Sequence, residues 1–233
     1  MPSEAAAYDP LCTRCRRLAA FLQKTRRQYP DYWARPVPSY GAAKPRILIV
    51  GLAPGMHGAN RTGRPFTGDH AGILLYQTLY EAGLASGPVS ISAHDRLRLI
   101  NARIANAVKC VPPQNRPLPA EIRCCNAYLA EEVRALSGVR VYLALGRVAH
   151  EALLMARGVA RRSFPFAHGR EHVLDATHCL IDSYHCSRYN TSTRRLTPAM
   201  FRSVVARACE RAGLPAPPGW QTPAASGSGN VAG

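Results

Sequence analysis

Residues 46–72 read RILIVGLAPGMHGANRTGRPFTGDHAG, and the change of character within this stretch decides the fold. Arg46 to Gly51 is a short aliphatic run that breaks at a glycine, as a buried strand does. A glycine-rich loop follows, and a helical pattern runs from about Ala71 to Ala82. The same alternation recurs along the chain. Three further β-rich runs lie at Ile104 to Lys109 (IANAVK), Val139 to Leu145 (VRVYLAL) and Cys179 to Ser183 (CLIDS). Helical patterns run from Pro119 to Leu136 and from Val148 to Arg157. A last one starts at Thr197-Pro198, an N-cap followed by proline at the first helical position, and stops at Gly213. Strands alternating with helices predict an α/β protein: a single three-layer α/β/α domain with a central four-stranded parallel sheet. In such sheets the working residues sit beyond the carboxyl ends of the strands. The domain is expected over residues 8–213. Residues 214–233, dominated by Pro, Gly, Ser and Ala, form an expected disordered tail. Pro36 to Pro45 reads as a loop leading into the first strand.

The chain has 233 residues, 47% of them hydrophobic, enough for one domain with a core of its own. No apolar run has the length of a membrane span. The N-terminus, MPSEAAAYDP, is neither basic nor apolar, so it does not read as a signal peptide. The expected location is the cytoplasm, in the bacterial manner beside the nucleoid, with no membrane partner. Lys plus Arg is 30 against 14 Asp plus Glu, a formal charge of +16. Such an excess suits a polyanionic partner. Nearly all of it is arginine, which makes forked contacts with phosphate oxygens. An arginine-rich composition also follows from a GC-rich genome, so charge alone does not name the partner.

Eight cysteines in a cytoplasmic chain do not read as a disulfide framework. Cys12 and Cys15 form a Cys-x-x-Cys pair near the N-terminus, and Cys110 follows directly on the second strand. Cys124 and Cys125 lie on the helix after the proline-rich segment VPPQNRPLPAEIR. Two ligands from a short pair and two from a distant loop suit a four-thiolate site, and the spacing fits zinc and an iron–sulfur cluster equally well. Adjacent helical residues point about 100° apart, so one of Cys124 and Cys125 is expected to be the ligand. Cys179, Cys186 and Cys209 lack partners at metal spacing and read as buried small residues.

Two loops follow strand ends. Gly51 to Gly72 holds Arg61, Arg64, Phe66 and Asp69. It lacks the Gly-Lys-Ser/Thr of a P-loop and is not a dinucleotide fingerprint. The other, DSYHCSRYNTSTRRLTP (182–198), places His185 just past a strand end. Arg188, Arg194 and Arg195 flank it among small hydroxyl residues, a composition suited to phosphate contacts.

Together GLAPGMHGANRTGRPFTGD (51–69), NAVKCVPPQNRP (106–117) and HCSRYNTSTRRLTP (185–198), in this order, resemble the uracil-DNA glycosylase superfamily. They are most similar to its family 5, the iron–sulfur enzymes also called type B, over roughly residues 8–212. The resemblance implies a monomeric, monofunctional DNA glycosylase of base excision repair. It would excise uracil and other deaminated bases, such as hypoxanthine, by base flipping and hydrolysis. With no lysine in the first or third motif, no strand cleavage is expected. A four-iron–four-sulfur cluster would be held by Cys12, Cys15, Cys110 and Cys125. Cys125 is preferred to Cys124 because the family places a Tyr/Phe-Leu pair three residues on, here Tyr128-Leu129. Phe66 would stack on the flipped base, Asn106 would read its polar edge, and Gly51 and Ala53 would line the site. His185 would stabilise the negative charge growing on the leaving base. Arg61, Arg64, Arg188 and Arg194 would contact DNA. Many superfamily members carry an acidic or amide side chain that orients the water, where this chain has Leu52-Ala53-Pro54. Asp69 is the nearest carboxylate in the motif, read equally as a water-orienting group and as a helix N-cap. Two other readings share the charge and the cysteines: a non-catalytic, redox-sensing iron–sulfur protein that binds DNA, and a zinc-stabilised nucleic-acid enzyme.

Overall fold

The computed structural model describes residues 8–215, 217, 219 and 220. In chain order the elements are α1 (Arg16–Gln28), β1 (Tyr40–Gly41), β2 (Ile47–Gly51), α2 (Ala59–Thr62), α3 (His70–Glu81), β3 (Ala102–Asn106), α4 (Pro119–Ala135), β4 (Val141–Leu145), α5 (Arg147–Ala156), β5 (Glu171–Val173), β6 (Cys179–Ser183), α6 (Arg188–Ser192) and α7 (Pro198–Arg211).

Strands β2, β4 and β6 are buried along their whole length, as strands covered on both faces must be. Their side chains alternate between two cores. Ile47, Ile49, Val141, Leu143, Cys179 and Ile181 face one cluster, which includes Leu75 and Leu79 of α3 and Phe201 and Val205 of α7. Leu48, Val50, Tyr142, Ala144 and Leu180 face the other, with Leu129 of α4 and Leu153 of α5. The period of two thus divides helices into one layer on each side of the sheet.

The sheet has six strands in the order β1-β3-β2-β4-β6-β5. The four expected strands form its parallel centre, and β1 and β5 pair antiparallel at the edges. This corrects the four-stranded expectation. Strands of two and three residues are too short to leave a periodic signal, and β1 lies inside the stretch read as a loop. β3 also ends at Asn106 rather than Lys109. The apolar run continues past it because Val108 and Val111 are buried in a third cluster with the cysteines, not in the sheet. Cys110 therefore lies four residues beyond the strand. The chain also carries a helix that the sequence reading does not assign, α1.

Two expected caps are present: Asp69 Oδ1 accepts from the Gly72 N–H at 3.0 Å, and Thr197 Oγ1 from that of Met200 at 3.2 Å. Two of the described residues past 213, where the tail is expected to begin, pack on the core. Leu214 and Trp220 pack against the α3–α7 core because both offer apolar surface. The disorder expected of residues 221–233 concerns positions outside the described residues.

Candidate active site

Gly51 ends β2 directly opposite Asn106, which ends β3. This register sets both residues at the carboxyl edge of the sheet, where the Gly51–Gly72 loop departs. A Cβ built on Gly51 would lie 2.6 Å from Phe66 Cζ and 2.8 Å from Asn106 Oδ1. Only glycine lets the ring and the amide close together here. Asn106 is 2% exposed, and its Oδ1 finds no donor among the described residues. A buried acceptor without a donor costs free energy that a bound donor would recover.

Phe66 has φ +55°, a conformation that costs of order 1–3 kcal/mol for a bulky residue unless its surroundings enforce it. Tyr76 of α3 donates to the Pro65 carbonyl at 2.8 Å. Gly72 lets the Phe66 carbonyl approach so closely that any Cβ there would collide with it. The Phe66 ring lies 5.7 Å from that of His185, tilted by 28°.

His185 follows β6 by two residues. Its backbone carbonyl accepts from Asn190 Nδ2 at 2.8 Å. Enclosure of the imidazole pushes its pKa down to about 4, so the ring is neutral at pH 7. A neutral imidazole keeps one N–H to donate. Asp69 packs against Gly58, where a Cβ would meet its side chain at 2.4 Å. Oδ1 serves the cap of α3, and burial raises the pKa of this carboxyl against the opposing backbone N–H groups of Gly72 and Ala71.

The remaining expected site residues divide. Arg61, Arg188 and Arg194 are exposed, and Arg188 and Arg194 belong to the segment that follows His185. Ala53 packs, partly buried, against the cluster around the cysteines. Arg64 must be withdrawn as a DNA contact. It is 4% exposed, bonded to Ser90, Asp95 and the Ala93 carbonyl, and stacked over Tyr40. A guanidinium so committed has no face left for phosphate. Asp95 and Ser90 lie outside every motif, and no local pattern marks them as its partners.

On the far side of the same loops a cavity is lined by Cys12, Cys15, Cys110, Cys124 and Cys125. Arg17 on α1 grips Glu121 on α4 through two bonds, at 2.8 and 2.7 Å, and so holds the N-terminal pair against the other cysteines. Cys125 is the more enclosed of the adjacent pair, and its sulfur accepts from the Lys109 N–H at 3.2 Å. Among the described residues no three cysteine sulfurs lie within 4.8 Å of one another. A single tetrahedral zinc at 2.3 Å needs sulfur–sulfur edges of about 3.8 Å. Burial pushes the Cys15 thiol up to about 12 and Cys110 higher still, so a cationic group is needed to keep them as thiolates. The thiol donor set and the N–H bond to Cys125 suit a metal centre.

Comparison with known proteins agrees with this geometry. The model of the uracil DNA glycosylase superfamily matches residues 38–208, which include Gly51, Phe66, Asn106 and His185. A type-5 uracil-DNA glycosylase of Thermus thermophilus is 48% identical over 208 residues, 87% of this chain and 94% of its own. Type-5 enzymes of Mycobacterium bovis (42% identity, 91% of this chain, 82% of theirs) and Pyrobaculum aerophilum (41%, 87% and 89%) are also similar. A type-4 enzyme of Pyrobaculum aerophilum matches over 54% of this chain and 57% of its own, at 36% identity. With the match covering all six strands and Gly51, Phe66, Asn106 and His185, the chain belongs to the uracil-DNA glycosylase superfamily.

Proposed function

We propose that this protein is a monofunctional DNA glycosylase of base excision repair. It releases uracil, and other deaminated bases such as hypoxanthine, from DNA. The observation that carries the reading is the convergence of Gly51, Phe66, Asn106 and His185 on one end of the sheet, with a buried acceptor on Asn106 awaiting a donor.

A base inside a duplex must leave the stack before its glycosidic bond can be reached. The flipped base lies on Phe66, and Gly51 keeps that face open. Asn106 Oδ1 accepts from the imide N–H of uracil, and its amide donates to the neighbouring carbonyl. As the bond from C1′ to nitrogen breaks, its electron pair moves onto the base. The neutral His185 N–H donates to the base oxygen that gains charge. A water oxygen then bonds C1′ and gives up a proton, which ends on the nitrogen of the departed base. Asp69, whose second oxygen is not used by the cap, is assigned to orient that water. Ala53 is assigned to the base site, where its small side chain would not exclude bases larger than uracil. Arg61, Arg188 and Arg194 are assigned to the phosphates. We assign Cys12, Cys15, Cys110 and Cys125 to a four-iron–four-sulfur cluster, which when bound would cross-link the N-terminal segment to the β3–α4 connection and to α4. No helix among the described residues is long and apolar enough to cross a membrane. We assign the enzyme to the cytoplasm, where it works on DNA as a monomer.

The test is a panel of duplexes, each with one deaminated base, scored for free base and for strand breaks. Free uracil without breaks is expected. DNA binding without base release would instead support a redox-sensing, non-catalytic role. Iron and acid-labile sulfide in equal amounts are expected in the purified protein, and zinc in their place would overturn the cluster.

A further inference from the structure

The Phe66 backbone is left-handed, at φ +55°, and the residues on both sides of Pro65-Phe66 are tied to one segment outside all three motifs. Upstream, the buried Arg64 guanidinium reaches Ser90 Oγ at 3.1 Å, the Ala93 carbonyl at 2.9 Å and the Asp95 carboxylate. Downstream, Thr67 Oγ1 and Ser90 Oγ share a hydrogen bond of 2.7 Å. Asp95 also shapes this segment: its carboxylate accepts from the backbone N–H groups of Ile91, Ser92 and Leu97. One carboxylate therefore neutralises the buried cation and folds the turn that receives it. Remove that charge and Arg64 is left buried without a counter-ion, which favours its departure from the site. Pro65 and Phe66 would then lose their upstream anchor.

We propose that Asp95 is a positioning residue for base recognition. Acting through Arg64, it holds the Phe66 ring in the orientation that stacks on the flipped base. This rests on the reading of Phe66 as the stacking residue. It assigns part of the base site to a loop without pocket residues of its own.

The experiment is a double-mutant cycle on a uracil-containing duplex with Asp95→Asn, Phe66→Ala and the double variant. Each is also assayed for competitive inhibition by free uracil, for affinity toward lesion-free duplex and for thermal stability. Asp95→Asn is expected to lower kcat/KM about 10-fold and to weaken uracil inhibition by a similar factor, with lesion-free binding unchanged. In the Phe66→Ala background the same change should cost less than about 2-fold. An equal loss in both backgrounds means that Asp95 supports the fold and not the ring, which overturns the proposal. Unchanged kinetics in a folded Asp95→Asn protein also overturn it. If Phe66→Ala itself keeps full activity, the stacking reading falls first and takes this proposal with it. Should Asp95→Asn not fold, Ser90→Ala takes its place. It removes one bond to Arg64 and the bond to Thr67 without stranding a charge, and the same dependence on Phe66 is required.

Discussion

Because burial pushes the His185 pKa down to about 4, against 6.5 for an ordinary histidine, the group proposed to face the leaving base is neutral across the physiological range. The excision rate should therefore show no inflection from this histidine between pH 6 and 8. A rate–pH profile with an apparent pKa near 6.5 would contradict that. The same shift makes a stability statement. The unfolded chain binds the His185 proton more tightly, so stability falls as the pH drops from 6.5 towards 4 and is unaffected above. Acid melts should show the unsubstituted protein losing ground to His185→Gln over that window. Removing the donor outright, in His185→Ala, should lower kcat by about 10²–10³-fold, the usual loss for one such hydrogen bond. Gly51→Ala tests the geometry. Its methyl would sit 2.6 Å from the Phe66 ring and 2.8 Å from Asn106 Oδ1. The displaced ring should lower kcat/KM on the order of 10²-fold while lesion-free DNA still binds. The sequence marks Phe66, Asn106 and His185 as candidates because each lies in a distinctive motif, with Asn106 at the end of β3 and His185 two residues past β6. Arg64 was misread for a physical reason. A phosphate-facing arginine and a buried one look alike in sequence when the partner carboxylate, Asp95, is 31 residues away.

At the level of elements, the buried central strands announced themselves as aliphatic runs and needed no context. Helix α1 did not. Its buried face is only Leu18, Leu22 and Thr25, set among arginines, and the adjacent Cys-x-x-Cys pair draws attention to metal binding. Such a helix owes its place to docking more than to propensity. Glu121 carries much of that docking: it bonds Arg17 twice and accepts the Leu118 N–H at the start of α4, at 2.7 Å. Burial opposes the charge on Glu121, yet the bond from Arg17 and that N–H hold its carboxyl below the ordinary range. Glu121→Ala should cost about 1 kcal/mol through the lost cap alone. It should also free α1, and with it Cys12 and Cys15. Iron bound per chain is the measurement: it should fall in Glu121→Ala and less in Arg17→Ala, which spares the cap. Equal iron in all three proteins would show that α1 does not need this pair to bring its cysteines in.

Across the whole molecule, ion pairing consumes acids and bases together and leaves the formal excess of +16 on basic side chains outside the pairs. Glu81, Asp95, Glu121, Glu132, Asp175 and Glu171 are all committed to arginines within the fold. Arg61, Arg188 and Arg194 are exposed and have no acidic partner among the described residues. Charge balance in the sequence pointed to a polyanion but could not say which arginines were spoken for, since ion pairs are made by the fold. Binding that releases counterions should weaken steeply with salt, and removing one phosphate-binding arginine should lower the log–log slope by about 1. Arg61→Gln and Arg188→Gln should each do so, and should weaken lesion-free and uracil-containing duplexes by the same factor, because phosphates carry no information about the base. An unchanged slope in either would remove that residue from the interface. Arg64→Gln is the contrasting case. Its charge is already neutralised inside the protein, so the slope should stay where it is while discrimination between uracil-containing and lesion-free DNA declines.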